Sequence, residues 1–457
     1  MGTAVVRAAP AKGNGWTTLQ LLRASRAAML TLDVLLVLAV VSATEAHRAA
    51  VKTVGKDAAP SIIAAQHIKS AMADMDADAA NELLSPPGTR SSSAVAYELR
   101  REEASRALIT AAENITYGEA ERVPIQSLQI GLGTYERLVQ KSRDLDETAP
   151  PKAVAAYRDA AALMDTTLLP AADALDGANN DVLEQTYRRE SLRSTGTRLT
   201  IVCTGAALLF VLVWVQMMLS QRMHRTFNPP LLVATLLAGV TAFHAVQALA
   251  ASHHQLKVAK EDAFSSIHAL WRARATAYQA NSEESRYLLD TAHAADHQDA
   301  FGREASALAT LPPGLSPVEV VSALREGRRV DGFSGYLADE LNNITFPGER
   351  DAAIDVLSAW QGYVGIDGQI RRLQRTNQAR QALELCTGTA PGQSDWAFAQ
   401  FDSALDRALA INQSAFHEAV DAGSSALSNL ELETGISACL TAVLIFLGLA
   451  PRLREYR

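Results

Sequence analysis

The sequence predicts an all-α integral membrane protein: four transmembrane helices and two tandem extracytoplasmic four-helix bundles, the second an internal duplication of the first. Three observations carry this. Apolar runs at residues 27–46, 198–219, 231–251 and 434–451 each approach the ~20 residues that an α-helix needs to cross a ~30 Å hydrocarbon core. Between them, apolar residues recur at spacings of three and four, the seam of packed helices. Polar and aromatic positions of the first long segment then reappear in the second, the mark of a repeat.

Composition agrees. Alanine is heavily used, aromatics make up only 6%, and Gly and Pro cluster in a few places, which favours long helices over sheets. A net charge of -8 argues against a nucleic-acid partner, which wants a basic field. Of three cysteines, Cys203 and Cys439 fall inside apolar runs and Cys386 in a polar stretch, so neither a disulfide framework nor a zinc pattern follows.

Topology follows from the basic residues of the short segments. Arg7, Lys12, Arg23 and Arg26 precede the first run, Arg222 and Arg225 lie between the second and third, and Arg452, Arg454 and Arg457 follow the last. By the positive-inside rule, residues 1–26, 220–230 and 452–457 are cytoplasmic, which puts 47–197 and 252–433 outside a plasma membrane crossed four times. Ser42-Ala43-Thr44 offers small residues as at a signal-peptide cleavage site. The run before it is nevertheless read as an uncleaved anchor, because the equivalent run at 231–251 must stay as a helix.

In the first outer segment, Val51, Val54, Ala58, Ile62, Ala65, Ile68, Met72, Met75, Ala79 and Leu83 define one helical seam. Ser85-Pro86-Pro87-Gly88 stops that helix. A second helix is expected from about Ser92 to Ile115, a third from about Pro124 to Leu145, and a fourth from Lys152 into the next span, with a kink at Leu169-Pro170. The outer two helices continue into membrane spans, making a tethered four-helix bundle.

The second segment repeats the plan. Lys56-Asp57-Ala58 and Ser61-Ile62 map onto Glu261-Asp262-Ala263 and Ser266-Ile267 at an offset of 205 residues. Asn114-Ile115-Thr116-Tyr117 corresponds to Asn343-Ile344-Thr345-Phe346, Glu121-Arg122 to Glu349-Arg350, Tyr135 to Tyr363, and Arg143 to Arg371. In both copies the arginine-to-tyrosine spacing is 13 and the tyrosine-to-arginine spacing 8. About 21 extra residues after Leu289, including Phe301-Gly302, are expected to form an elaborated tip, and Ser316-Pro317-Val318-Glu319 has the form of a capping box.

Each candidate has a plain structural reading beside it. Asn-Ile-Thr matches a glycosylation acceptor, but its repetition at helix ends suits backbone capping. Arg122, Tyr135 and Arg143, with Arg350, Tyr363 and Arg371, are candidates for ligand or partner contact on the outer face, since a guanidinium fork recognises carboxylates; the alternative is ion pairing within the bundle. His293 and His297 have a chelating i, i+4 spacing but no evident third ligand, so no metal is expected. Asp33, an acid inside a span, suits helix pairing or a proton path. No catalytic motif or cofactor fingerprint is present, and the expectation is a protein that is not an enzyme and holds no cofactor.

The tandem plan, the stretch Asn114 to Pro124, the Tyr135-to-Arg143 spacing and Leu-Leu-Pro-Ala-Ala at Leu168 to Ala172 resemble the GlnX family of actinobacterial transmembrane signal transducers. That resemblance implies sensor-like outer domains, a periplasmic glutamine-type solute-binding lipoprotein as outer partner, and the cytoplasmic serine/threonine protein kinase G as inner partner. It further implies sensing of extracellular aspartate- or glutamate-type amino acids. The short inner segments cannot fold alone, so output would pass to a separate protein, with Arg222, His224 and Arg225 as docking candidates or as topology determinants only. A homodimer is expected by analogy with paired receptor bundles. The alternatives are a transport-accessory membrane protein and an envelope scaffold.

Overall fold

The computed structural model describes residues 17–85, 92–223 and 228–455. In order, α1 (Thr18–Lys52) passes through a π turn (Thr53–Ala58) into α2 (Ala59–Leu84), followed by α3 (Ser92–Glu113) and α4 (Glu119–Asp146). Next, α5 (Pro150–Leu163) leads through a π turn (Met164–Leu168) into α6 (Leu169–Met223), and α7 (Pro229–Lys257) through a third (Val258–Phe264) into α8 (Ser265–Leu289). There follow α9 (Ala294–Leu308), α10 (Pro317–Arg325), α11 (Tyr336–Asn342), α12 (Glu349–Arg375), α13 (Ala379–Cys386), α14 (Ser394–Ser425) and α15 (Leu430–Glu455). Among the described residues no strand forms, and one isolated antiparallel bridge joins Thr310 to Ser334.

The chain divides into two compact units. One holds the described residues up to Ala49, Glu190–His253 and those from Gly423 onward. Its core repeats at heptad spacing along α1, at Leu22, Met29, Leu36 and Ala43, facing Leu208, Leu212 and Val215 of α6 and Ala234, Ala238 and Ala245 of α7. On the outward faces Leu38, Phe210, Leu236, Phe243 and Leu447 are exposed, surface that suits lipid rather than water. Among the described residues four helices are long and apolar enough to cross a membrane, as expected of a multi-pass membrane protein. Small residues allow close approach, with Gly448 against Leu231. Polar side chains bridge helices: Gln216 Nε2 donates to Thr235 Oγ1 at 2.9 Å, and Asn228 Nδ2 to the Gly448 carbonyl at 2.8 Å.

The other unit contains Ala50–Arg189 and His254–Ala422. Both long segments lie in this unit, with α2 packed along both α3 and α8, and α8 also against α9. Close contact follows from size: Ala73, Ala77 and Ala80 of α2 and Ala273, Ala277 and Ala280 of α8 are all buried. Ser282 Oγ donates to the Ala73 carbonyl and Ser285 Oγ to Asn81 Oδ1 across this contact. In the second segment an aromatic group of Trp360, Tyr363, Phe398 and Phe401, with centroids 5.2–5.9 Å apart in contacting pairs, fills the core. Such pairs contribute about 0.5–1.5 kcal/mol each beyond the area they bury.

Three details differ from the sequence expectation. The third helix begins at Glu119 rather than near Pro124, because the helix can start wherever its first N–H groups are satisfied. Gly118, at φ 71°, turns the chain, and the N–H groups of Glu121 and Arg122 both donate to its carbonyl. The extra residues after Leu289, expected as an elaborated tip, form α9, which folds back on α8 with Phe301 and Leu308 buried. Finally, the helix that ends the second segment is interrupted before the last apolar one. Residues 426–429 form a turn, where Leu427 and Ser428 N–H groups donate to the carbonyls of Ser424 and Ser425 beside a Gly-Ser-Ser stretch of weak helix formers.

Candidate functional site

The two Asn-Ile-Thr stretches build the same loop. Thr116 and Tyr117 N–H groups donate to Glu121 Oε2 at 2.7 and 2.6 Å, and Thr345 and Phe346 N–H groups to Glu349 Oε2 at 2.6 and 2.8 Å. Both carboxylates are buried, so each satisfies two backbone donors that would otherwise be costly to leave unmade. The asparagines diverge. Asn343 Nδ2 donates to the carbonyls of Glu261 and Asp262 and to Ser266 Oγ, at 2.7–3.2 Å, tying its loop to a π turn whose carbonyls are out of α-helical register. Asn114 is exposed and instead lines a cavity of about 340 Å³ beside Lys56 and Asp57.

Tyr135 and Tyr363 are wholly buried. Tyr135 donates to Asp76 Oδ1 at 2.9 Å, whereas Tyr363 accepts from Asn281 Nδ2 at 3.3 Å. Arg143 pairs with Glu82 at 2.7 Å and stacks over the Tyr97 ring at 4.4 Å. Arg371 pairs with Asp367 on its own helix and lies over Tyr287 and Phe301 at 4.4 and 4.7 Å. Arg122 is exposed and pairs with Glu119, and Arg350 Nη1 donates to the Leu324 carbonyl at 3.3 Å. These six residues therefore do not converge on one site. His293 pairs with Asp290 at 3.1 Å, and His297 pairs with Glu283 at 2.6 Å and lies 3.9 Å from the same Asp290 oxygen. Asp33 is buried within α1, where Arg26 stacks on Phe446. Arg222 stands at the end of α6, while His224 and Arg225 lie outside the described residues.

What the packing does assemble is a cavity of about 480 Å³ around Arg286 of α8. Arg286 Nη2 reaches Asp76 Oδ2 at 2.5 Å, Nη1 donates to Asp165 Oδ2 at 2.9 Å and to Glu283, and Nε to the Tyr157 hydroxyl at 3.3 Å. Four chain regions thus meet on one guanidinium. Burial pushes Tyr135 and Tyr157 well above the ordinary phenol range, with the Asp76 charge adding to it. Burial also raises Asp165, against the pull of Arg286. It opposes the ionisation of Glu283 too, yet the hydrogen bond from His297 and the charge of Arg286 outweigh it and hold Glu283 below the usual range. Six carboxylates and four cations, with His297, line the space. A second cavity, of about 890 Å³, lies along α9 and α12 and includes Arg303, Asp367, Arg371 and Arg375.

Residues 50–188 match the family model of the actinobacterial sensor domain. The match covers the first long segment, under a third of the chain. No curated protein and no solved structure matches. This match, beside helices apolar enough to cross a membrane, supports a sensing role. Within the matched residues lie Asp76, Tyr135, Arg143, Tyr157 and Asp165; Arg286, α9 and Arg371 come from the later part of the chain.

Arg286, Asp76 and Asp165 escaped the sequence reading. One signal was there to find them: at the offset of 205 residues Asp76 aligns with Asn281 and Asn81 with Arg286. A new charge in each segment, at non-equivalent positions, points to a pair formed between the segments.

Proposed function

We propose that the chain is a non-enzymatic transmembrane signal transducer whose output passes to a separate cytoplasmic protein. The observation that carries this is the position of Asp165. It lines the Arg286 cavity from within the π turn Met164–Leu168, and the helical run that contains it, Pro150–Gln221, also carries an apolar span. A π turn holds one residue more than an α turn, so resolving or moving it shifts the helix beyond it by about 1.5 Å and 100°. An event at the cavity that pulls on Asp165 thereby has a direct mechanical consequence along the helix.

The two segments are read as an internal duplication of one four-helix plan. Matching loops at Glu121 and Glu349, the paired Tyr135 and Tyr363, and π turns at Thr53–Ala58 and Val258–Phe264 support that reading. Both segments are outside the plasma membrane and both termini inside, on the distribution of basic residues. The resemblance to the GlnX family names the input and output: a periplasmic solute-binding lipoprotein reporting aspartate- or glutamate-type amino acids, and a cytoplasmic serine/threonine kinase. A homodimer fits the same plan.

The test is hydrogen exchange on the full chain in lipid nanodiscs, with and without the lipoprotein loaded with glutamate. Altered protection at residues 164–168 and through α6 is expected, together with ligand-dependent capture of the kinase from the inner face. Unchanged exchange, or amino-acid uptake by vesicles containing only this chain, would overturn the relay.

A further inference from the structure

We infer that the cavity along α9 and α12 is a binding site for a small carboxylate-bearing anion, received by Arg371. A guanidinium offers two bidentate edges. Asp367 occupies the side edge of Arg371: Nε donates to Oδ2 at 2.9 Å and Nη2 lies 2.7 Å from Oδ1. The end edge, Nη1 with the remaining hydrogen of Nη2, is buried and has no hydrogen-bond acceptor. Arg371 is 6% exposed, and a buried charged donor left without an acceptor is expensive enough to need an explanation. The Tyr287 and Phe301 rings over the guanidinium fix its plane.

The surroundings favour an anion. Arg303 and Arg375 stand exposed at the rim, so that three arginines line the cavity against Asp299 and Asp367. Burial, and then the Asp367 charge, push the nearby Glu284 carboxyl well above its usual range against the pull of Arg371, which disfavours its anionic form. A carboxylate meeting the end edge of Arg371 would bring four of the five guanidinium donors into bidentate pairs, while the rim arginines would supply long-range attraction. The corresponding Arg143 offers no such site, since Glu82 and Glu98 already neutralise it from two other helices. Phe301 belongs to α9, which has no counterpart in the first segment.

The inference stands apart from the relay, because its readout is binding and no output is measured. Isothermal titration of the full chain in nanodiscs with glutamate, succinate and inorganic phosphate, against chloride, is the experiment. Saturable binding of the carboxylates is expected. Arg371→Lys, which keeps the charge and loses the fork, should weaken it by about tenfold or more. Arg303→Ala combined with Arg375→Ala leaves the core untouched and should weaken it severalfold with a reduced salt dependence. Phosphate binding with no carboxylate binding would overturn the carboxylate assignment. No saturable binding up to about 10 mM, or affinities unchanged in both variants, would overturn the site.

Discussion

Tyr135 and Tyr363 occupy corresponding places in the two long segments and are equally buried, yet their hydrogen bonds run in opposite directions. Tyr135 donates to a carboxylate, Asp76, which also receives Arg286 from the other segment. Tyr363 accepts from Asn281, the residue aligned with Asp76, and no charge is involved. The later arginines diverge in the same way: Arg143 is held by Glu82, whereas the residue aligned with Glu82 is Tyr287, whose ring lies beneath Arg371. Features that satisfy the backbone, such as the Glu121 and Glu349 loops, are the same in both segments. Side-chain partners have been exchanged. One segment carries a saturated, cross-segment charge network, and the other an arginine with an open edge.

The sharpest way to break this contrast is Arg286→Met. It strands Asp76 and Asp165 without their cation and leaves Glu283 with His297 alone, and breaking a buried pair this way costs about 3–5 kcal/mol. A large drop in the thermal midpoint of the full chain, followed by circular dichroism, is expected, and a change below about 1 kcal/mol would mean the network is not a bridge between the segments.

A second test uses pH. Burial first, then the Asp74 charge, pushes Asp78 to about 9 and Asp395 to about 7 from 3.8, and burial pushes Asp74 to about 7 against the pull of Arg100. Between those values the folded protein holds protons that the unfolded chain has released, so stability falls as pH rises from about 4 through about 9. Asp78→Asn should flatten that slope and raise the midpoint near pH 9 while changing little near pH 4. A midpoint that climbs with pH over this range would contradict the assignment.

Smaller effects separate the two loops. Asn343→Ala removes three hydrogen bonds to the π turn and should cost about 1–3 kcal/mol, while Asn114→Ala, exposed and outside such contacts, should stay within about 0.5 kcal/mol. Equal losses at both positions would erase the difference drawn between the segments. Last, Arg122→Ala removes only an exposed pair with Glu119, and urea unfolding should register about 0.5 kcal/mol or less.

Much of the architecture was legible because it rests on local physics. Apolar runs of membrane length, seams at spacings of three and four, and the Ser316–Glu319 capping box, which forms as expected, depend on residues close in sequence; Pro86-Pro87-Gly88 lies outside the described residues. The candidate site was less legible. The sequence singled out Tyr135, Arg143, Tyr363 and Arg371 by their repetition, but repetition marks inherited packing as readily as chemistry, and these residues sit in separate surroundings. The start of α4 before Pro124 and the interruption between α14 and α15 depended on which backbone groups found partners, which propensity alone does not rank.

By itself, then, the amino-acid sequence determined the helical class and the apolar helices of membrane length, since each is set by periodicity and spacing along the chain. Only the tertiary structure decided that α2 and α8 lie together, that Asp76 of one segment and Arg286 of the other share a buried pair, and that α9 folds back to put Phe301 over Arg371. Those outcomes turn on the close approach that buried alanines permit and on the cost of leaving a buried charge unpaired. Neither quantity exists until distant parts of the chain meet.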